Sequence, residues 1–212
     1  MQAAASTAEP VLTPEEKALV GTKKQQEAVT NWLAKRYRVA GDATNMLVST
    51  AYLTAREIKI DPLLILAVMA IESGLNPFAE SPMGAQGLMQ VMSKVHTDKF
   101  EELGGVQAAL NPVANIRVGA LILKDYVSRG GSVEAGLKYY VGAAAFETDD
   151  GYGYKVMAEY NRLKQVSSGK KVPHITPPTL AAAPAPVKPK IDAPTTVAQA
   201  DKPISAEQLA GL

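Results

Sequence analysis

The chain has 212 residues, 47% hydrophobic and 20% charged, a composition typical of a globular domain with additional flexible ends. Its formal net charge of +1 excludes a strong field that would favour nucleic acid or an anionic membrane surface. The absence of cysteine excludes disulfides, thiolate nucleophiles and cysteine-based zinc sites. The longest strongly apolar run, residues 63–71, is shorter than the roughly 20 residues that cross a bilayer, so we expect no membrane span.

The first ten residues, MQAAASTAEP, lack the basic and apolar regions of an intact signal peptide. Their alanine-rich composition, with serine and threonine, resembles the start of an exported protein after signal cleavage. We therefore expect a mature exported form. The alternative is an ordinary N-terminus unrelated to export. On either interpretation we predict that residues 1–12 are disordered.

The helical pattern begins at Thr13, which precedes a proline and two acids, an arrangement typical of a helix N-terminus. Trp32 and Tyr37 follow at helical spacing. We expect both to pack in the core, and sugar-stacking platforms are the alternative. Asp42 follows a glycine break and predicts the N-cap of a second helix.

A third helix is predicted to start at Asp61, which precedes a proline, and to end at Gly74. Further helices are predicted over residues 86–96, 113–129, 133–141 and 152–163. No segment shows the sustained alternation of a strand. We therefore predict an all-α domain over residues 13–166.

The composition changes after Val166, because residues 167–212 hold eight of the fourteen prolines. Their centre reads TPPTLAAAPAPVKPKIDAPTT, which is typical of an extended linker that cannot build a core. We therefore assign residues 167–212 to a disordered Pro/Ala/Lys-rich linker or tail.

Glu72 ends the apolar run, in the last turn of the third helix if Asp61 caps that helix. The helix dipole there disfavours a carboxylate, and Val68 and Ile65, one and two turns back, exclude water. Both effects raise the pKa of a carboxyl group, and a carboxyl group that stays protonated near neutrality suits a general acid. The alternative is a glutamate turned outward at a helix end.

The segment after this acid is rich in glycine, proline and serine, so we expect it to turn and bring the next helix back towards the acid. Ser81, Gln86 and Gln90 supply neutral hydrogen-bonding groups, which suit sugar hydroxyls and acetamides. Gly84 and Gly87 permit close backbone approach to a ligand. The pattern favours a polysaccharide over an anionic substrate.

The order and spacing of these motifs resemble the soluble lytic transglycosylase (SLT-domain, goose-lysozyme-like) family over residues 58–163. The matching motifs are Glu72-Ser73, Asn76-Pro77, Ser81-Pro82, Gly84-Ala85, Gly87-Leu88-Met89-Gln90 and Met92, then Asn111, Pro112, Asn115, Ile116 and Gly119. The resemblance implies a lysozyme-like fold that cleaves bacterial peptidoglycan, which places the protein in the periplasm.

The resemblance also implies the roles of individual residues and needs no cofactor or metal. By this resemblance, Glu72 is expected to be the catalytic acid/base. The residues implied to line the sugar site are Ser73, Ser81, Gln90, Met92, Tyr140 and Glu147. Glu147 fits the pattern only with a one-residue insertion before Tyr152. The implied partners are glycan strands, and the tail is a possible contact for a cell-envelope protein.

Two departures from the family pattern stand out. The family usually has Tyr-Asn-Ala-Gly where this chain has Tyr140-Val141-Gly142-Ala143, so an asparagine contact is lost. Ser93 replaces a common proline, and we expect no consequence. One alternative is a hydrolytic muramidase of the same fold. The loss at Val141 keeps a second alternative open, a cell-wall-binding module with weakened catalysis.

We expect the remaining acids between residues 61 and 163, Glu159 among them, to be mostly solvated. A site with one carboxyl group predicts that the substrate's acetamide and 6-hydroxyl act in place of a second carboxylate. The predicted product is a glycan that ends in 1,6-anhydro-N-acetylmuramic acid.

Overall fold

The computed structural model of the chain describes residues 22–174, and within them the fold is all-α, as predicted. Seven α-helices occur in this part of the chain, with one short two-stranded hairpin and two 3₁₀ helices, Glu101–Leu103 and Val106–Leu110. The helices are α1 (Lys23–Tyr37), α2 (Gly41–Ile58), α3 (Pro62–Ser73), α4 (Thr97–Phe100), α5 (Pro112–Gly130), α6 (Val133–Tyr140) and α7 (Tyr152–Ser167). The strands are β1 (Ala85–Gln86) and β2 (Val91–Met92).

Helix α1 starts at a capping box, because the Thr22 hydroxyl and the Gln25 side chain bond each other's backbone N–H groups. Trp32 is buried, as expected, and its indole N–H donates to the carbonyl of Val172 at 3.0 Å. The packed part of the chain therefore extends beyond Val166. The helix start predicted at Thr13, residues 1–12 and most of the tail lie outside the described residues.

Helix α2 begins at Gly41 after Ala40, and no side chain caps it. The prediction that Asp42 is its N-cap was therefore wrong. The carbonyl of Ala40 accepts hydrogen bonds from both the N–H and the hydroxyl of Thr44, so Asp42 lies inside the first turn and not at the cap.

Helix α3 is the centre of the fold, with residues 62–70 all buried. Its predicted ends are confirmed: Asp61 accepts from the backbone N–H of Leu63 at 2.8 Å, and Gly74 ends the helix at a φ of 60°. The helix packs chiefly against α7 and α2. This packing places the last turn of α3 beside the start of α7.

The helix predicted over residues 86–96 was wrong, because an antiparallel hairpin occupies this segment. Ala85 pairs with Met92 and Gln86 with Val91. Gly87 and Gln90 take φ values of 75° and 47°, which interrupt a helix. The segment that returns towards Glu72 is therefore a hairpin rather than a second helix.

The last three helices match the predictions within a few residues, and α5 and α6 form a closely packed pair. The expectation that the acids between residues 61 and 163 are mostly solvated fails for Glu159, which is 1% exposed. Its carboxylate is paired with Arg36 of α1 and Arg162 of α7. A buried carboxylate requires such partners.

Candidate active site

Glu72 lies in the last turn of α3, where Ile65 and Val68 on its own helix are fully buried. Its side chain is half-buried at the end of the helix. Burial raises the pKa of Glu72 to about 7, and a hydrogen bond from Tyr152 acts in the opposite direction. Near neutral pH the carboxyl group therefore exchanges a proton readily, as a general acid/base must.

Tyr152, the first residue of α7, donates its phenolic hydrogen to Oε1 of Glu72 at 2.6 Å. Burial, and next the charge of Glu72, raise the pKa of Tyr152 well above its ordinary value, so the phenol stays a neutral donor. Sequence analysis did not predict this contact. No local pattern could reveal a contact between residues 80 positions apart.

Asp149 orients the start of α7. Its two carboxylate oxygens accept from the N–H groups of Gly151 and Gly153 at 3.0 and 2.7 Å, and its carbonyl accepts from the N–H of Tyr152. A Cβ on Gly153 would lie 2.7 Å from the Asp149 carboxylate, so only glycine fits there. Sequence analysis missed this role, although an aspartate before spaced glycines is a signal for such a turn.

Four of the predicted sugar-binding residues lie in the hairpin or next to it. Three of them form hydrogen bonds that stabilise the hairpin and the loop before it. Ser73 donates to the carbonyls of Met69 and Leu88, and the Ser81 hydroxyl accepts from the N–H of Ala85. Nε2 of Gln90 donates to the carbonyls of residues 79 and 87, both at 3.0 Å. Met92 lies half-buried in β2.

Asn115 of α5 clamps the hairpin, a role that sequence analysis did not foresee. Its Oδ1 accepts from the N–H of Met89 at 2.8 Å, and its Nδ2 donates to the carbonyls of Gln86 and Ala109. A Cβ on Gly87 would come within 2.4 Å of Asn115. The close approach predicted for Gly87 is therefore made to α5 of the protein itself.

Ser93 also has a structural role, contrary to expectation. It is 3% exposed, and its hydroxyl donates to Oε1 of Gln86 at 2.6 Å. The Gln86 amide in turn donates to Glu80. Proline at position 93 could not make this bond.

Tyr140, at the end of α6, donates to the carbonyl of Met89 at 2.8 Å. Burial is the largest cause that raises the pKa of Tyr140 well above its ordinary value. The charges of Glu72 and Tyr126 raise it further. The phenol is thus close enough to Glu72 to interact with its charge. The structure brings Glu72, Tyr140 and Tyr152 together from α3, α6 and α7.

Glu147 lies apart from these three residues, exposed in the loop between α6 and α7. The loop is tied to α6 because Nζ of Lys138 donates to the carbonyl of Glu147 at 3.1 Å. Within residues 22–174, no hydrogen bond or ion pair joins the Glu147 carboxylate to Glu72. Val141 lies at the end of α6 and packs half-buried against the core.

Two further features of the described residues concern metal binding and membrane-spanning helices. Among the described residues, no group of three or more histidine, aspartate or glutamate side chains is placed to hold a metal ion. In the same part of the chain, every helix falls short of the length or apolar character that crossing a membrane requires.

The family model of the transglycosylase SLT domain matches residues 52–161, about half of the chain. The chain therefore belongs to the transglycosylase SLT domain family, which confirms the resemblance found in its motifs. Helices α3 to α6, the hairpin and most of α7 lie within this match. Helix α1 lies outside it.

Among curated proteins, the chain is similar to "Transglycosylase" of Enterobacteria phage PRD1, with 34% identity over 122 residues, 56% of this chain and 43% of that protein. It is also similar to "Endo-type membrane-bound lytic murein transglycosylase A" of Klebsiella pneumoniae, with 43% identity over 70 residues, 30% of this chain and 34% of that protein. The chain thus spans less than half the length of these relatives.

Among solved structures, the chain is similar to the lytic transglycosylase Slt of Pseudomonas aeruginosa, studied as an inactive glutamate-to-glutamine mutant. The match has a TM-score of 0.51 at 19% identity and covers 58% of this chain and 24% of that one. At this identity the similarity concerns the fold, which is the predicted lysozyme-like one.

Proposed function

We propose that this protein is a peptidoglycan lytic transglycosylase that cleaves the MurNAc-β-1,4-GlcNAc bond without water, with Glu72 as its single general acid/base. The observation that carries the proposal is the carboxyl group of Glu72, whose pKa is raised to about 7 and which accepts a 2.6 Å hydrogen bond from Tyr152. Membership of the SLT domain family and relatives named as transglycosylases support the same activity.

In the first step, protonated Glu72 gives its proton to the glycosidic oxygen while the bond from that oxygen to C1 of MurNAc breaks. GlcNAc leaves with the proton, and the acetamide of MurNAc stabilises the positive charge that develops at C1. Tyr152 stabilises the carboxylate that forms, because its hydroxyl remains a donor to Oε1.

In the second step, the 6-hydroxyl of MurNAc attacks C1 and closes the 1,6-anhydro ring. Ionised Glu72 takes the proton of that hydroxyl, which returns the enzyme to its starting state. Gln90 would position the acetamide through its Oε1, since its Nε2 is already committed to two loop carbonyls.

A single carboxyl group suits this mechanism, because typical glycosidases need a second one as nucleophile or base. Asp149 interacts with Tyr152, but both its oxygens are bonded to backbone N–H groups. Glu147 is exposed. The arrangement of the described acids therefore favours the transglycosylase over the hydrolytic muramidase.

Location and partners form part of the same proposal. A substrate of peptidoglycan glycan strands places the protein in the periplasm, and the Klebsiella relative is named for murein. A cell-envelope partner of the Pro/Ala-rich tail, like the sugar-site roles of Ser73, Ser81, Met92, Tyr140 and Glu147, stays a prediction.

The test is the variant Glu72→Gln, assayed on purified peptidoglycan beside the exposed control Glu102→Gln. The amide has nearly the same shape but cannot give up a proton, so we expect the fold to persist and turnover to fall by about 10²–10⁴-fold. The control should cleave as the wild type does. Wild-type turnover by a folded Glu72→Gln protein would remove Glu72 from the mechanism.

A further inference from the structure

A buried charge cluster joins the end of α1 to α7. The Glu159 carboxylate accepts from Nε of Arg36 at 2.8 Å, from a second nitrogen of Arg36 at 3.1 Å and from the Tyr37 hydroxyl at 2.8 Å. Arg162 adds a fourth bond at 2.8 Å. The guanidinium of Arg36 also lies over the ring of Trp32, 5.2 Å from its centroid. Partners of this number and geometry hold a buried carboxylate in one place.

Glu159 lies seven residues after Tyr152, which is two turns of α7, so both side chains project from the same face. Both are buried. One end of this face meets Glu72 of α3, and the other meets α1. A shift of α7 that moves Glu159 therefore also moves Tyr152 relative to Glu72.

Tyr37 contacts both helices of the candidate active site. Its hydroxyl bonds Glu159 of α7, and its ring lies beside Gly74, where an added Cβ would be 3.8 Å from Cδ1. Gly74 ends α3 two residues after Glu72. Tyr37 thus connects the end of α3 with the inner face of α7.

We propose that α1 is part of the catalytic unit, with Tyr37 and Arg36 acting as positioning residues that hold α7 so that the Tyr152 hydroxyl meets Glu72. The role of Glu72 in this inference rests on the proposed function. Helix α1 lies outside the 52–161 match to the SLT domain family, so the family match does not contain this contribution.

The consequence for the proposed reaction is geometric. Tyr140 from α6 and Tyr152 from α7 both interact with the charge of Glu72. Among residues 22–174, Tyr152 is the one whose side chain bonds the Glu72 carboxylate. If α7 shifts, this bond lengthens and the proton-bound form of Glu72 becomes more favoured. Displacements of about 1 Å in such sites lower turnover by as much as 10²-fold.

The test is Tyr37→Phe in the full chain, which removes one oxygen and leaves both arginines on Glu159. The matched control is Tyr154→Phe. It removes the same phenolic oxygen from α7, but from a side chain that is 80% exposed. The Glu72 carboxyl titration is followed by NMR with ¹³C-labelled glutamate, assigned with Glu72→Gln, together with kcat and KM.

We expect Tyr37→Phe to raise the titration midpoint of Glu72 by about half a pH unit. It should also lower kcat by about tenfold at unchanged KM. Tyr154→Phe should leave the midpoint and kcat at their wild-type values. A wild-type midpoint in Tyr37→Phe, or an equal shift in Tyr154→Phe, would overturn the inference. A shifted midpoint with wild-type turnover would support the positioning and count against the proposed role of Glu72.

Discussion

The Glu72 carboxyl group lies near two phenols that stay protonated, and this environment decides how it titrates. Burial favours the neutral carboxylic acid, and the Tyr152 hydroxyl favours the carboxylate. The net result is a folded-state pKa of about 7, above the ordinary value of 4.5. A group in this balance can donate a proton and recover one within a single turnover.

Stability should depend on pH in a direction set by this raised pKa. A carboxyl group whose pKa is raised by folding stabilises the fold fully at low pH and loses that contribution as pH rises through the folded pKa. Glutamine does not titrate. Glu72→Gln should therefore gain stability relative to wild type between about pH 4.5 and pH 7, by about 1–3 kcal/mol. Chemical denaturation at pH 4.5 and pH 8 measures the difference, and an equal difference at both values would contradict the raised pKa.

Tyr152→Phe should move the activity profile towards higher pH. Removing the hydroxyl removes the interaction that lowers the pKa of Glu72, so the alkaline limb of kcat/KM should shift upward. The maximal rate should fall by about tenfold, because the carboxylate loses a charge-assisted hydrogen bond.

Tyr154→Phe is the matched control for this variant, since it removes a hydroxyl from a side chain that is 80% exposed two residues away. Its profile should coincide with that of the wild type. A Tyr152→Phe profile that also coincides would show that the 2.6 Å bond has no part in the proton transfer.

At the scale of elements, both ends of α3 were predictable because their caps are local. Asp61 and Gly74 bracket α3 as their residue types predict, because each acts on backbone groups within a few positions. The hairpin was not predictable in the same way. Its shape depends on Asn115, which lies 26 and 29 positions beyond the two hairpin residues that it bonds.

Asn115→Asp tests that dependence. An aspartate keeps the shape of the side chain but loses the donors to the carbonyls of Gln86 and Ala109, and it sets a carboxylate oxygen against them. We expect a loss of about 2–4 kcal/mol, or roughly 5–15 °C in Tm. Peptidoglycan cleavage should fall as well, because the hairpin is bonded to Ser73, the residue after Glu72.

Asn161→Asp provides the comparison, because it makes the same exchange at an exposed position of α7. It should leave Tm within about 1–2 °C of the wild type, the range of most surface substitutions. Equal melting temperatures for the two variants would mean that the Asn115 clamp contributes little to the fold.

At the scale of the whole molecule, the all-α class and the candidate acid followed from apolar spacing and caps. The long-range contacts around that acid could not be predicted from the sequence. The fold joins Glu72 to Tyr152 across 80 positions, and Arg36 to Glu159 across 123 positions. Glu159 in particular has no local feature that distinguishes it from a solvated glutamate on α7. Only the packing of α1 against α7 shows that it is buried.

The chemistry of the product tests the central claim most directly. Purified protein is incubated with peptidoglycan in ¹⁸O-labelled water, and the released muropeptides are analysed by mass spectrometry. The account predicts ends of 1,6-anhydro-N-acetylmuramic acid, each lighter by one water than the hydrolysed equivalent and free of the label. Reducing muramic acid ends that carry ¹⁸O would contradict it and identify a hydrolytic muramidase.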